Sequence, residues 1–203
     1  MLEDEVKHYI SIKMGFSPIL IKKLEFYSSE LIKYNYKYNL ISKSTESIIW
    51  HRHILDSAQI IKFIDISSNK SLSDLGSGAG LPGLVISILS GPSFHVKLYE
   101  KSPVKCKFLE EIVYKLDLNC KILSGDYRDH NIQSNFVTAR AFKKLPEIIK
   151  ISREIIKKPH KMIILKGKSA QDEINNALKT MAFKYKLEDS ITDKKSKILI
   201  IDA

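Results

Sequence analysis

The ten residues DLGSGAGLPG, at positions 74–83, limit what this chain can fold into more than any other stretch. Four glycines and a proline lie between an apolar run that starts at Leu72 and the run LVISIL that follows. A tight turn between a strand and a helix needs one or two glycines, whereas four leave a length of bare backbone whose N–H groups can face a ligand. The stretch therefore predicts a strand over Leu72–Leu75, a ligand-holding turn, and a helix that opens at its end. This is the first unit of a nucleotide-type α/β fold.

Downstream, short apolar runs alternate with helical patterns: FHVKLYE (94–100), VKCKFLEEIVYKL (104–116), CKIL (120–123), FVTARAF (136–142) and KMIILK (161–166). Strand and helix in alternation predict a parallel, doubly wound sheet with helices on both faces. AFKYKLE (182–188) and SKILIID (196–202) have no helix between them and are expected to form a hairpin at the sheet edge. Upstream, Leu20, Leu24, Tyr27, Leu31, Tyr34 and Tyr38 step by four and three, which lays one apolar stripe along a helix assigned to packing. Ser17 and Pro18 suit the N-cap and first position of that helix. A second helix is expected from Ile48 to Ile64. The polar break SSNKS (67–71) then divides a helical extension, residues 1–66, from an α/β domain, residues 67–203.

Composition narrows the partners. Thirty-three basic against 23 acidic side chains leave a net charge of +10, which suits a polyanion. Only four of the basic residues are arginines: Arg52, Arg128, Arg140 and Arg153. No run approaches the about 18 apolar residues of a membrane span, and MLEDEVKHYI lacks the basic and apolar regions of a signal peptide, so a cytoplasmic location without membrane contact is expected. Cys106 and Cys120 show no metal or disulfide spacing. His51 and His53 are adjacent to Arg52 but point about 100° apart per residue on a helix, which argues against a shared metal. Arg52 and Asp56, four apart, suit a helix-surface ion pair.

Two ligands fit the turn. Gly78, Gly80 and Gly83 satisfy the dinucleotide pattern GxGxxG. Asp74, two residues before the first glycine, would face a pyrophosphate unfavourably but would attract a ligand carrying an ammonium and a sulfonium, namely S-adenosyl-L-methionine. Glu100, at the end of the next strand and 20 residues past Gly80, suits a ribose diol in either ligand. Arg140 and Lys166 end the fourth and fifth strands and so lie on the ligand-binding edge, as candidates for contact with cofactor carboxylate, base or phosphate. Lys33, Tyr36, Lys37 and Lys43 lie off or beside the helical stripe and are candidates to touch RNA. Three rivals stay open: a methyltransferase with another RNA, a small molecule or a protein as substrate; a dinucleotide oxidoreductase; and an RNA-binding protein without turnover.

IKYNYKYNLIS (32–42), RHILDS (52–57), DLGSGAGLPG (74–83), YEKSPVKCKFL (99–109), ARAF (139–142) and LKGK (165–168) occur in an order and spacing that resemble the guanine-N7 methyltransferases of bacterial small-subunit ribosomal RNA, also called glucose-inhibited division protein B. The resemblance runs from about residue 20 to the end of the chain. It implies a class I S-adenosylmethionine-dependent methyltransferase fold, Rossmann-like, with a mostly parallel seven-stranded sheet, a C-terminal antiparallel hairpin and an N-terminal helical extension. It implies methylation of one guanine in the decoding-region stem-loop of 16S ribosomal RNA, alone or in the small ribosomal subunit; a monomer without a metal is expected. Gly76, Gly78, Leu81, Tyr127, Arg128 and Arg140 fall on its cofactor positions, with Glu100 by analogy with the fold, and Arg52 and His53 on the substrate cleft, which Lys166 joins by its place at the strand edge. The chain departs from the family pattern at Asp126, where a basic residue is usual, at Arg128, where an acid is frequent, and at Ser196, where an arginine is common.

Overall fold

The computed structural model describes residues 1–67 and 69–203; Ser68, inside the polar break, lies outside the described residues. Among the described residues, seven strands form one sheet in the order β3-β2-β1-β4-β5-β7-β6. They are β1 (Ser71–Leu75), β2 (His95–Glu100), β3 (Cys120–Ser124), β4 (Phe136–Arg140), β5 (Lys161–Lys166), β6 (Tyr185–Asp189) and β7 (Lys197–Asp202). The first five are parallel, and β7 runs antiparallel to both β5 and β6. The final hairpin is thus present, with its second strand inserted between β5 and β6 so that β6 takes the edge. The described residues also form the α-helical segments α1 (Glu3–His8), α2 (Pro18–Tyr38), α3 (Asp56–Ala58), α4 (Gly83–Ser90), α5 (Pro103–Leu116), α6 (Leu145–Ile155) and α7 (Ala170–Leu178).

Side chains on a strand alternate between faces, and that parity divides the core in two. Leu72, Val96, Leu98, Phe136, Ile163, Leu165, Ile198 and Ile200 join α4, α5 and the N-terminal helices in one cluster. Leu75, Tyr99, Val137, Ala139, Met162, Ile164, Leu199 and Ile201 join α6 and α7 in the other. Residues 1–66 therefore add their buried side chains, among them Val6, Leu24, Tyr27 and Ile54, to the core of one sheet face.

Three N-terminal details differ from the sequence reading. Helix α1 is present although its six residues offer little periodicity; its acids Glu3, Asp4 and Glu5 sit in the first turn and Lys7 and His8 in the last, which matches the helix dipole. The segment expected to be one α-helix over 48–64 changes hydrogen-bond spacing along its length: 3-10 at Lys43–Ile48, π at Trp50–Leu55, α at Asp56–Ala58 and 3-10 at Gln59–Phe63. A wider π turn commonly marks a functional segment, and this one carries Arg52 and His53. Finally, the α2 stripe buries Leu24, Tyr27 and Leu31, but Tyr38 at its end is 40% exposed and not core.

Candidate functional site

The glycine turn is built from left-handed backbone and held by side chains of β1, β2 and α2. Gly76, Gly78 and Gly80 have φ of +69°, +59° and +95°, a region open to glycine at little strain. From below, Asp74 Oδ2 accepts the Gly83 N–H at 3.0 Å, which caps the start of α4, and its Oδ1 accepts the Thr138 hydroxyl at 2.8 Å. At the β2 side, Glu100 Oε2 accepts the Gly78 N–H and its Oε1 the Ser102 N–H, each at 2.8 Å. From α2, the buried Tyr27 hydroxyl donates to the Ala79 carbonyl at 2.7 Å.

These contacts correct the role expected of Asp74. Its carboxylate is turned inwards, 1% exposed, and both oxygens serve the turn instead of a ligand. Burial pushes its pKa up to about 6, against the pull of its hydrogen bonds. The parity of β1 and β4 explains the placement: Asp74 is paired in register with Thr138, and both point to the face covered by α4 and the N-terminal helices.

Arg140 shares the parity of Thr138 and reaches the same helices at the tip of β4. Its Nη1 donates to Asp56 Oδ2 at 3.5 Å and its Nη2 to His53 Nδ1 at 3.2 Å. A guanidinium has no acceptor, so Nδ1 of His53 must carry a lone pair, and Nε2 bears the proton that it gives to Thr45 Oγ1 at 2.8 Å. Burial, then the charges of Arg140 and Arg52, lower the His53 pKa to about 3. Asp56 is the hub: Oδ1 accepts from Thr192 at 2.8 Å and from Gln59 at 2.9 Å, and Oδ2 also faces Arg52 at 3.7 Å. One carboxylate thus ties the second N-terminal helical segment to the end of β4 and to the β6–β7 turn. The Arg52–Asp56 pair read from spacing is present; the hub's long-range partners Arg140 and Thr192 had no sequence signal.

A cavity of about 650 Å³ opens at the tips of β4, β5 and β7. Arg52, Arg140, Lys143, Lys144, Lys166 and Lys197 contribute six cations to its wall, against Asp56 and Glu173, which are both ion-paired. Lys166 has the opposite parity to Arg140 and turns towards α7, where Nζ pairs with Glu173 at 2.7 Å and approaches the Lys143 carbonyl at 3.5 Å. The expectation of a Lys166 free to grip RNA is thereby revised to a lysine anchored at the cavity wall. Ser196 also lines the cavity, and its hydroxyl donates to Asp193 at 2.9 Å.

Tyr127 and Arg128 form a short turn after β3. Both unusual charges there answer each other: Arg128 Nε and Nη2 donate to Asp126 at 2.9 and 2.6 Å. The Tyr127 ring meets Phe142 edge-on at 5.5 Å, and Phe142 lies so close to Gly76 that a Cβ there would come within 2.3 Å of its ring. Phe142, missed as a site residue despite its place in ARAF, links the β4 end to both the glycine turn and Tyr127. Ala141, between it and Arg140, has φ of +49°, a strained value for a residue with a side chain. Among the described residues, no group of three or more His, Cys, Asp or Glu is arranged to hold a metal, and no helix is long and apolar enough to cross a membrane.

The family model for rRNA small subunit methyltransferase G matches residues 20–200. The chain belongs to that family. It is accordingly a methyltransferase, and its relatives share nearly its whole length. A ribosomal RNA small subunit methyltransferase G from Rickettsia bellii is 38% identical over 182 residues, 90% of this chain and 93% of the relative. That of Pelagibacter ubique is 34% identical, covering 98% and 97%, and that of Orientia tsutsugamushi 36%, covering 98% of each. Among solved structures, a SAM-dependent methyltransferase from Aquifex aeolicus superposes with a TM-score of 0.61 at 14% identity, over 86% of this chain and 97% of the other. Aeropyrum pernix fibrillarin, with natively bound S-adenosyl-L-methionine, gives 0.57 at 15%, over 74% and 75%. The chain therefore has the class I methyltransferase fold expected from its sequence.

Proposed function

We propose that this protein transfers a methyl group from S-adenosyl-L-methionine to N7 of a guanine in the decoding-region stem-loop of 16S ribosomal RNA, as a cytoplasmic monomer that uses no metal. The observation that carries the reading is Arg140, held by Asp56 and His53 between the glycine turn and a cation-lined cavity. Family membership supplies the reaction class. In this reading residues 1–66 form the wall that faces RNA, and residues 67–203 hold the methyl donor.

The residues around the turn fit that donor. At Gly78 a Cβ would meet nothing closer than 3.9 Å, so there is space for a ligand beside it, while its N–H stays bonded to Glu100 at the tip of β2. Gly76, Gly78 and Leu81, whose N–H groups are bonded to Tyr99, Glu100 and Ser77, would line the donor with the rest of their backbone. Glu100 would meet its ribose with the lone pairs not used by Gly78 and Ser102, Tyr127 and Arg128 its adenine side, and Arg140 its carboxylate. When bound, S-adenosyl-L-methionine supplies an electrophilic methyl on a cationic sulfur. The inward Asp74 acts through the turn it shapes and does not touch the donor.

Guanine N7 carries an in-plane lone pair and no proton, so no residue has to take one. That suits a site where His53 and Asp56 have their acceptor atoms engaged. Alignment is then the main work, and geometry alone can supply effective molarities of about 10⁵ M or more. An arginine fork that spans O6 and N7 would cover the nucleophile. Arg140 has donors left after its two contacts; if one of them meets O6 in place of the donor carboxylate, it would orient the base and leave N7 clear. Arg52, whose side chain is 44% exposed, meets RNA phosphate at the rim, while His53 and Lys166 position the wall. The test is incubation of 16S RNA and 30S particles with labelled methyl donor, followed by borohydride and aniline scission at N7-methylguanine. A single labelled cut is expected, and donor binding without any cut would refute the reading.

A further inference from the structure

A second concavity stands apart from the site just described. Helices α2 and α5 run antiparallel: Lys23 donates to the Leu116 carbonyl, Tyr34 donates to Glu111 and packs against Phe108 with its ring tilted by 52°, and Tyr38 lines one cavity with Val104 and Lys107. The C-terminal end of α2 thereby arrives at the first turn of α5, which follows β2, on the same sheet edge as the glycine turn. There, Lys33, Tyr34, Lys37, Tyr38, Val104 and Lys107 enclose about 350 Å³. The Tyr34 and Tyr38 rings lie 5.8 Å apart at 37°, and Lys37 Nζ lies over the Tyr38 ring, 5.2 Å from its centroid, so a base that stacks there displaces this ammonium towards a flanking phosphate. Tyr34 is fixed by Phe108 and Glu111, whereas Tyr38 is 40% exposed. Lys33 shares Glu30 with Lys115, and among the described residues neither Lys37 nor Lys107 is paired with a carboxylate.

We infer that this groove is a second RNA-binding subsite, which stacks one unpaired base on Tyr38 and holds its flanking phosphates with Lys37 and Lys107. The inference rests on the RNA reading above. An aromatic face beside unpaired ammonium groups is the combination that recognises single-stranded nucleic acid, because stacking needs a flat apolar surface and the backbone needs cations. A volume near 350 Å³ falls in the range of a site for one small ligand unit. The position suits a strand that passes over the turn. The cation-lined cavity lies on the β4, β5 and β7 side of β1 and the groove on the α5 side. Tyr27, at the turn, and Tyr38, in the groove, are 11 residues apart on α2, which is about 16 Å along the helix axis. A nucleotide a few positions along an RNA strand lying over the turn would come within reach of Tyr38. The stripe residue Tyr38 thus faces substrate, not core.

The experiment measures binding of a fluorescent single-stranded oligoribonucleotide across salt concentrations, together with methyl transfer to 30S particles. The full-length protein is compared with K37E/K107E, Y38L and Y38F. Loss of two phosphate contacts should reduce the slope of log affinity against log salt by about 1.4. Y38L should weaken binding about tenfold, and Y38F, which keeps the ring, should restore it. In methyl transfer, KM for RNA should rise in Y38L and K37E/K107E while kcat and affinity for the methyl donor stay unchanged. These side chains are surface groups, and an unchanged melting temperature checks that the variants fold. Wild type that methylates RNA, with variants that keep its salt slope and KM, would overturn the subsite alone. Wild type that methylates no RNA would overturn the reading beneath it. A lowered salt slope with a silent Y38L would overturn the stacked base.

Discussion

The state of His53 can be read out as a pH dependence of stability. Its ring is 8% exposed, with Nδ1 accepting from Arg140 and Nε2 facing Thr45. A second ring proton would point at a guanidinium inside the protein, and burial followed by Arg140 and Arg52 holds the pKa near 3 instead of 6.5. The unfolded chain accepts a proton near 6.5 and the native state does not, so the stability tied to neutral His53 is complete above 6.5 and is lost as pH falls towards 3. From neutrality to about pH 5, 1.5 units below the unfolded value, the loss from this group is about 2 kcal/mol at 1.36 kcal/mol per unit. Denaturant unfolding of wild type and His53→Gln, each at pH 7 and about pH 5, isolates it, because other titrating groups cancel in the difference of differences. Gln keeps polarity but cannot titrate, so its stability should fall by about 2 kcal/mol less than that of wild type over the interval. Equal falls in both proteins would show that His53 takes its proton in the folded state, and the neutral-ring assignment would be wrong.

Asp74 should behave with the opposite sign. Its folded pKa of about 6 lies above 3.8, so the stability it gives when protonated is present below pH 3.8 and disappears as pH rises through 6, a change of about 3 kcal/mol that Asp74→Asn should abolish in the same assay. Gly83→Ala would bring a Cβ within 2.4 Å of Leu98 and 2.7 Å of Asp74; thermal unfolding should register a loss of about 1–3 kcal/mol. Gly167→Ala, with nothing within 4 Å, should stay within about 0.5 kcal/mol. Asp56→Ala leaves Arg140, Gln59 and Thr192 without their shared acceptor; a stability loss of about 3–5 kcal/mol is expected by denaturant titration. The more conservative Asp56→Asn should fold and show a depressed kcat in methyl transfer.

Much of the architecture was legible residue by residue. Alternating apolar runs located all seven strands, and the four glycines after β1 located the turn, because both signals are local: strand parity and left-handed backbone are properties of a few neighbouring residues. The missed pieces were weak or irregular local signals. Helix α1 is too short to show a period, and the 43–63 segment mixes three hydrogen-bond spacings.

What the sequence by itself determined was which residues sit on strands, which end at the ligand edge, and where the backbone had to be glycine. Tertiary structure alone decided which sheet face each parity meets. Arg140 and Lys166 both end strands, yet one turns to Asp56 and His53 and the other to Glu173, because opposite parities face different helices. Asp74 turns inwards for the same reason, with Thr138 and Gly83 as its partners. Thr192 and Asp56, 136 residues apart, meet only when β7 inserts between β5 and β6. Such contacts leave no periodic trace in a chain, since they depend on how distant elements stack and not on the residues between them.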